Sequence, residues 1–200
     1  MSSDVIVAFI TGIVGPVVLL YIKSLIDKSK KKTDILKDTL KVSELVNIKI
    51  ETIKETYKAD RIWIAQFHNG GNFYPTGKSM AKFSIIYESV NGSTISIQNN
   101  FQNIPVNLFS KSINELLEND IIQIPDFKDE TIATFGLKYI AEENGCKSGY
   151  LFSIKTIDGK FIGALCLDYT KKKTKLSVED VNHISIDASS IGGALIGNYQ

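Results

Sequence analysis

The feature that most constrains this 200-residue chain is an apolar run near its start, residues 5–22 (VIVAFITGIVGPVVLLYI). The run contains no charged residue, and Thr11 is its one polar side chain. As a helix rising about 1.5 Å per residue it would extend roughly 27 Å, enough to cross a thin hydrocarbon core. A buried helix that is apolar on every face would need a larger protein around it. The run therefore predicts a transmembrane helix.

The charges beside this run predict its orientation. Residues 23–32 contain five lysines and one aspartate, whereas the leading MSSD has no Lys or Arg. Positive charge beside a span stays in the cytoplasm, and MSSD does not resemble the start of a signal peptide. We expect a single-pass membrane protein with its N-terminus outside. The expected parts are an N-terminal segment (1–23), a lysine-rich helical stalk (24–39) and a cytoplasmic domain (40–200).

A long helix is predicted over residues 24–57, which contain neither Pro nor Gly. Its apolar residues form one narrow stripe: Ile35, Val42, Val46, Ile50, Ile53 and Tyr57. Such a stripe is typical of a two-helix coiled coil, or of a helix packed on its own sheet. We expect the first half of this helix to pair with a second helix, and the second half to pack on the sheet of its own domain. Small residues four apart in the span also favour close helix contacts, so a homo-oligomer through residues 5–57 is expected.

Strands and turns dominate the prediction beyond residue 57. Runs rich in β-branched and aromatic residues predict strands, and the dipeptides Asn91-Gly92 and Asp158-Gly159 predict hairpins. A loop is predicted over residues 68–81. The predicted strands are 61–67, 82–90, 94–98, 121–124, 149–156 and 161–169.

Helices are predicted between and after these strands. They cover residues 107–117 and 131–143, the second ending at Asn144-Gly145, which suits a helix C-terminus. A last helix begins at the capping-box variant of residues 177–180. One face of it carries Val181, Ile184, Ala188, Ile191 and Leu195. This order of elements predicts an α+β domain with an antiparallel sheet flanked by helices.

Residues 67–79 (FHNGGNFYPTGKS) end like a phosphate-binding loop at Gly77-Lys78-Ser79. The Walker A motif needs a glycine five residues before Gly77, where this chain has Asn72. The motif must also open a helix, whereas the residues after Ser79 alternate like a strand. A phosphate-binding loop is therefore rejected.

Residues 142–169 (EENGCKSGYLFSIKTIDGKFIGALCLDY) resemble the core of a GAF domain. In that family a helix ends at glycine, a small residue follows, and an apolar strand leads to a D-G-x-x-I-G hairpin and its return strand. LSVED, residues 176–180, resembles the start of the family's last helix. The resemblance covers roughly residues 40–198 and implies a GAF-like fold, but no particular ligand, because one fold hosts many functions.

The resemblance implies a small-molecule pocket formed by loops beside the sheet and by the helix before the D-G hairpin. Aromatic walls with a few polar anchors are typical of such pockets. The candidate ligand-binding residues are His68, Asn69, Phe73, Tyr74, Lys78 and Cys146. A glycine-permitted turn in which His68 and Asn69 bond their own backbone is the alternative. For Cys146, a buried structural role is the simpler interpretation.

Several ligand classes lack their usual residues. The Asn-Lys…Phe-x-x-x-Asp-Glu pattern of cyclic-nucleotide-binding GAF domains is not matched, because Phe127 lies two residues before Asp129 and no Asn-Lys precedes it. Bilin-binding members carry Cys-His, whereas Cys146 is followed by Lys147. Haem would need an axial histidine, and the chain has only His68 and His183; His183, on a helix beside Ile184, is typical of a packed or surface residue. The two histidines and the two cysteines have no ligand pair at short spacing, so a metal is not expected. The cofactor stays unknown.

Two functional hypotheses follow. The first is a membrane-anchored sensory module that binds a small molecule or nucleotide and signals through helix pairing. The second is a non-enzymatic membrane scaffold or assembly protein, of the kind that viral lysis proteins represent, whose GAF fold binds protein. No catalytic residues are predicted. With 23 basic and 22 acidic residues, no nucleic-acid partner is expected.

Overall fold

The computed structural model of the chain describes residues 12, 14–29, 35–73, 75–129 and 136–196. The chain divides into two compact units, Met1–Asp38 and Thr39–Gln200. In the first unit, helix α1 spans Gly15–Ser29, and apolar side chains such as Leu19 and Leu20 are exposed on it. No helix in the described ranges is long and apolar enough to cross a membrane. Residues 5–11 and 13 of the predicted span lie outside those ranges.

Helix α2 spans Ile35–Tyr57. Residues 30–34, in the middle of the single helix predicted over 24–57, lie outside the described residues. Val46, Ile50 and Ile53 are fully buried in the hydrophobic core, so the predicted sheet packing of the second half is confirmed. Pairing of the first half stays a prediction.

Six strands form one antiparallel sheet in the order β3-β2-β1-β6-β5-β4. This confirms the antiparallel α+β architecture. The strands are β1 (Arg61–Asn72), β2 (Ser79–Val90), β3 (Ile104–Pro105), β4 (Ile121–Ile124), β5 (Ser148–Lys155) and β6 (Phe161–Tyr169).

Helices cover both faces of the sheet, and the strands supply each face with alternate residues. Ile62, Ile64, Leu165 and Leu167 lie in the core that includes α2. Ala65 and other alternate residues lie in a second core. The remaining helical elements are a 3₁₀ turn (Val106–Phe109), α3 (Ser110–Asn119), α4 (Leu137–Glu143) and α5 (Val178–Ile196). Helix α5 packs with α2, whereas the 3₁₀ turn, α3 and α4 supply the second core.

Local capping and turn signals are confirmed at three places. At the end of α4, Gly145 has φ +71° and donates its N–H to Glu142 O, and Cys146 donates to Ala141 O at 2.7 Å. Gly159, with φ +82°, closes the β5–β6 hairpin. Ser177 Oγ accepts the N–H of Asp180, as the capping-box pattern predicts. The predicted apolar face of α5 is buried.

The predicted loop 68–81 and the predicted strand 94–98 are wrong. Strands β1 and β2 continue as a paired ribbon, so that residues 73–78 alone connect them. Residues 94–98 form no strand, because the Glu88 carboxylate accepts the N–H groups of Ile97 and Gln98 at 2.8 and 3.2 Å. Asn91-Gly92 therefore opens an irregular segment, residues 91–103, instead of a hairpin.

Two predicted helix starts also differ from the structure. The helix predicted from residue 107 begins as the 3₁₀ turn, and its α-helical part starts at Ser110. Helix α4 starts at Leu137, after Gly136 with φ +90°, a conformation that glycine tolerates best. Residues 131–135 of the predicted helix 131–143 lie outside the described residues.

Candidate functional site

An apolar cavity of about 60 Å³ lies between the sheet and helices α3 and α4. None of the described residues that line it carries a charge. The lining residues are Trp63, Ala65, Phe67, Phe83, Ile85, Ile97, Phe101, Phe109, Ser112, Ile113, Leu116, Leu137, Ile140, Leu151, Ala164 and Cys166.

The sheet side of the cavity owes its space to two alanines. Strand β1 directs alternate residues Trp63, Ala65 and Phe67 to this face, and β6 directs Ala164 and Cys166 to it. Ala65 and Ala164 are direct partners across the two strands. Two small side chains side by side in the middle of a sheet leave room that larger residues would fill.

Helical and aromatic side chains form the opposite wall. Phe109, Ser112, Ile113 and Leu116 recur at spacings of three and four, so they share one side of the 3₁₀ turn and α3. Phe109 meets Phe83 of β2 edge to face, with ring centroids 5.2 Å apart. The wall is therefore anchored to the sheet by aromatic contacts.

Ser112 belongs to this wall, but its hydroxyl is buried and adds no polar surface to the cavity. Its side chain is 3% exposed, and its Oγ has no hydrogen-bond partner among the residues that the structure describes. A buried polar atom without a partner costs about 1–3 kcal/mol.

A buried ion pair lies beside the cavity. Arg61 donates from Nε to Asp168 Oδ2 at 2.7 Å, and Trp63 donates from Nε1 to the same oxygen at 2.9 Å. The guanidinium also donates to Ile95 O at 3.0 Å and to Cys146 Sγ at 2.9 Å. These contacts connect the cavity wall at Trp63 with the 91–103 segment.

Neither cysteine has the properties of a nucleophile. Burial is the largest cause that raises the pKa of the Cys146 thiol, and the negative charge of the nearby Asp168 carboxylate raises it further. Burial likewise raises the pKa of the Cys166 thiol well above its ordinary value. Both cysteines are buried and free of disulfide bonds. Because the thiolate is the reactive form, the structure supports the interpretation of Cys146 as a structural residue.

The predicted site residues lie elsewhere. His68 and Asn69 are on the exposed part of the β1–β2 ribbon, where His68 Nε2 lies 2.9 Å from Ser84 Oγ and its Nδ1 lies 3.3 Å from Asn69 O. Phe73 and Lys78 are exposed at the connecting turn. Tyr74 lies outside the described residues.

The ribbon thus brings together four of the predicted residues, and Cys146 is buried against Arg61. None of these five described residues lines the apolar cavity. Their role in ligand binding stays a prediction. One sequence signal could have indicated the cavity. Trp63, Ala65 and Phe67 alternate along β1 and so share one face of the sheet, and the small alanine between two aromatic residues leaves space there.

No protein-family model and no curated protein matches this sequence. Solved structures do match. A far-red cyanobacteriochrome photoreceptor has a TM-score of 0.63 and 14% identity, covering 91% of this chain and 99% of that chain. The structure of a far-red-absorbing dark state with bound biliverdin IXa has a TM-score of 0.59 and 13% identity, and the match covers 83% of this chain and 99% of that chain. A GAF domain/HD domain protein from Geobacter sulfurreducens has a TM-score of 0.59 and 12% identity, and the match covers 79% of this chain and 94% of that chain. The resemblance to GAF domains is confirmed in the fold: this chain folds as a GAF domain.

Proposed function

We propose that this chain is a sensory GAF-fold module, anchored in the membrane with its domain in the cytoplasm. It binds a small, predominantly apolar molecule in the cavity between the sheet and α3–α4. The observation that carries the proposal is the uncharged, wholly apolar wall of this cavity. Ligand pockets are lined predominantly by hydrophobic and aromatic side chains.

The size and charge of the cavity narrow the ligand class. A nucleotide phosphate needs cations or N–H donors as partners. Among the described residues, no charged side chain lines the cavity. A volume of about 60 Å³ is also well below the roughly 300–1,000 Å³ of common ligand pockets. A small apolar molecule therefore fits better than a nucleotide, or than the biliverdin held by the similar structure.

The sheet offers a route from the cavity to the helices. Strand β1 places Trp63 and Ala65 in the cavity wall, while Ile62 and Ile64 lie in the core that includes α2. A ligand that moves β1 would change how α2 packs. Helix pairing could then respond, provided that the ligand binds the two helix arrangements with different affinities. The predicted span over residues 5–22 supplies the membrane anchor of this proposal.

The test uses the full chain extracted with its native lipids in polymer discs. Thermal unfolding is followed with a panel of small apolar alcohols and phenols, and with ATP and cyclic nucleotides. We expect apolar compounds to raise the unfolding midpoint, because a ligand that binds the folded state alone stabilises it. Nucleotides should not raise it.

Two substitutions distinguish binding in the cavity from general effects. Ala164→Leu fills the space between the sheet and α3 and should abolish the shift. Leu117→Phe changes a half-exposed residue of α3 outside the cavity wall and should retain it. Stabilisation by nucleotides, with none by apolar compounds, would contradict the proposal.

The second candidate, a non-enzymatic scaffold that binds protein, is favoured by exposed apolar residues on α2. Leu40, Leu45 and Ile48 are each 45–61% exposed. Such residues could be covered by a partner protein or by a second copy of the chain. Native mass spectrometry of the full chain separates the two candidates: a copurifying small molecule favours sensing, whereas a ligand-free oligomer favours the scaffold.

A further inference from the structure

A second cavity, of about 320 Å³, lies where α2 ends, β1 begins and β6 ends. It shares no lining residue with the apolar cavity. Its lining residues include four lysines and two carboxylates. The lining residues are Lys54, Glu55, Lys58, Ala59, Asp60, Asn91, Tyr169, Lys171 and Lys172. We refer to this site as the lysine cleft.

Two of the four lysines already have carboxylate partners. Lys54 Nζ lies 2.7 Å from Glu51 Oε1, beside the cleft, and 3.9 Å from Glu55 Oε1. Lys171 Nζ lies 3.4 Å from Asp60 Oδ1. Lys58 and Lys172 are exposed, and no ion pair joins either one to another residue in the described ranges. Two ammonium groups at one cleft are thus available to an anion.

Asp60, one of the two carboxylates of the cleft, is engaged by the protein itself. Asp60 Oδ2 accepts the N–H groups of Thr170 and Lys171 at 2.8 and 3.0 Å. Burial opposes ionisation of this carboxyl group, but these N–H groups, with Asn91 and the Lys171 ammonium, lower its pKa overall. Its charge is therefore compensated locally and repels an incoming anion less.

Two carbonyl groups at the end of α2 are also occupied. Tyr57 O accepts the hydroxyl of Tyr169 at 3.0 Å, and Lys54 O accepts the N–H of Ala59 at 3.1 Å. Free carbonyls at a helix C-terminus attract cations and disfavour anions. With these two carbonyls satisfied, they oppose an incoming anion less.

We propose that the lysine cleft binds a phosphate group, carried by a soluble phosphorylated molecule or by an anionic lipid headgroup. Lys58 and Lys172 would donate charge-assisted hydrogen bonds to its oxygens. Lys171 would contribute part of its charge while it remains paired with Asp60. The volume of about 320 Å³ lies within the range of small-molecule sites. This site is independent of the apolar cavity and of its proposed ligand.

The test uses the full chain in nanodiscs of zwitterionic phosphatidylcholine, followed by hydrogen exchange of the segments 54–60 and 168–173. One arm adds inorganic phosphate, with chloride at matched ionic strength as the control. The other arm replaces part of the lipid with phosphatidylserine. Slower exchange with phosphate indicates a soluble ligand, and slower exchange with phosphatidylserine alone indicates a headgroup.

Matched double variants identify the residues involved. Lys58→Gln with Lys172→Gln should raise the phosphate concentration for half-maximal protection at least about tenfold, because the variant loses two charge-assisted hydrogen bonds to the phosphate oxygens. In the lipid arm the same variant should lose the protection. Lys111→Gln with Lys160→Gln, at exposed positions outside the cleft, should keep the wild-type response. Protection in neither arm, equal protection by chloride, or an unchanged response of the first variant would overturn the proposal.

Discussion

Arg61 and Asp168 are direct partners across β1 and β6, and their side chains form a buried ion pair with an Nε–Oδ2 distance of 2.7 Å. Arg61 is 1% exposed. Removing one partner of such a pair leaves a buried charge without compensation, at a cost of about 3–5 kcal/mol. We expect Arg61→Met to destabilise the protein by this amount, measured by urea unfolding with the fluorescence of Trp63.

The double variant Arg61→Met with Asp168→Leu tests the physical reason. It removes both charges, so it should be less destabilised than the sum of the two single variants. Strictly additive losses would show that the two side chains act independently and would contradict the role assigned to the pair.

Gly192 and Gly193 are neighbours on α5 with opposite expected responses to alanine. A Cβ atom at Gly192 would lie 2.3 Å from Lys155 O of β5, whereas one at Gly193 would have no heavy atom within 4 Å. Gly192→Ala should push α5 from the sheet and cost about 1–3 kcal/mol. Gly193→Ala should stabilise the helix by roughly 0.5–1 kcal/mol, because alanine is the better helix former. Thermal unfolding of both variants checks this, and equal effects would contradict the packing described.

The buried thiols predict a loss of stability at alkaline pH. Burial raises the pKa values of Cys146 and Cys166 above the ordinary value of 9.0. Above pH 9 the unfolded thiols release protons while the folded thiols keep them, so the free energy of unfolding falls as the pH rises. Below pH 9 both states hold these protons and the contribution is fully present.

Unfolding curves between pH 7 and pH 10 measure this slope. The double variant Cys146→Ala with Cys166→Ala should show a smaller decrease in the free energy of unfolding between pH 7 and pH 10. The decrease is measured relative to each protein's own value at pH 7. Rapid modification of both thiols by a disulfide reagent in the folded protein at pH 8 would contradict their burial.

Elements with strong local signals could be predicted from the sequence. The D-G hairpin, the capping box at Ser177 and the glycine end of α4 depend on residues a few positions apart, and all three formed as expected. The strand 121–124 and the strand 161–169 were predicted with their observed bounds. Local chemistry was sufficient in these cases.

The parts of the fold that were not predicted depend on contacts that no single local motif encodes. The segment after Asn91-Gly92 bonds to Glu88 and does not form a strand, which no local pattern indicates. The apolar cavity combines β1, β2, β6 and two helices, so its wall exists only after the sheet is assembled. The residues predicted from the sequence lie on the glycine-rich ribbon around His68 instead, and their role in ligand binding stays a prediction.

Two buried serines should respond to alanine with opposite signs. Ser112 Oγ has no partner among the described residues, whereas Ser148 Oγ accepts the N–H of Thr174 at 2.9 Å. Ser112→Ala should stabilise the ligand-free protein by about 1 kcal/mol, and Ser148→Ala should destabilise it by a similar amount. Chemical denaturation of both variants measures this, and destabilisation by Ser112→Ala would show that its hydroxyl is already satisfied.

The most direct test of the proposed apolar site uses Trp63, the chain's single tryptophan, which lies in the cavity wall. Trichloroethanol, which combines an apolar group with one hydroxyl, quenches tryptophan emission on contact. Titration of the full chain should give saturable quenching that Ala164→Leu abolishes and Leu117→Phe retains. Quenching that rises linearly and equally in all three proteins would contradict a ligand site in this cavity.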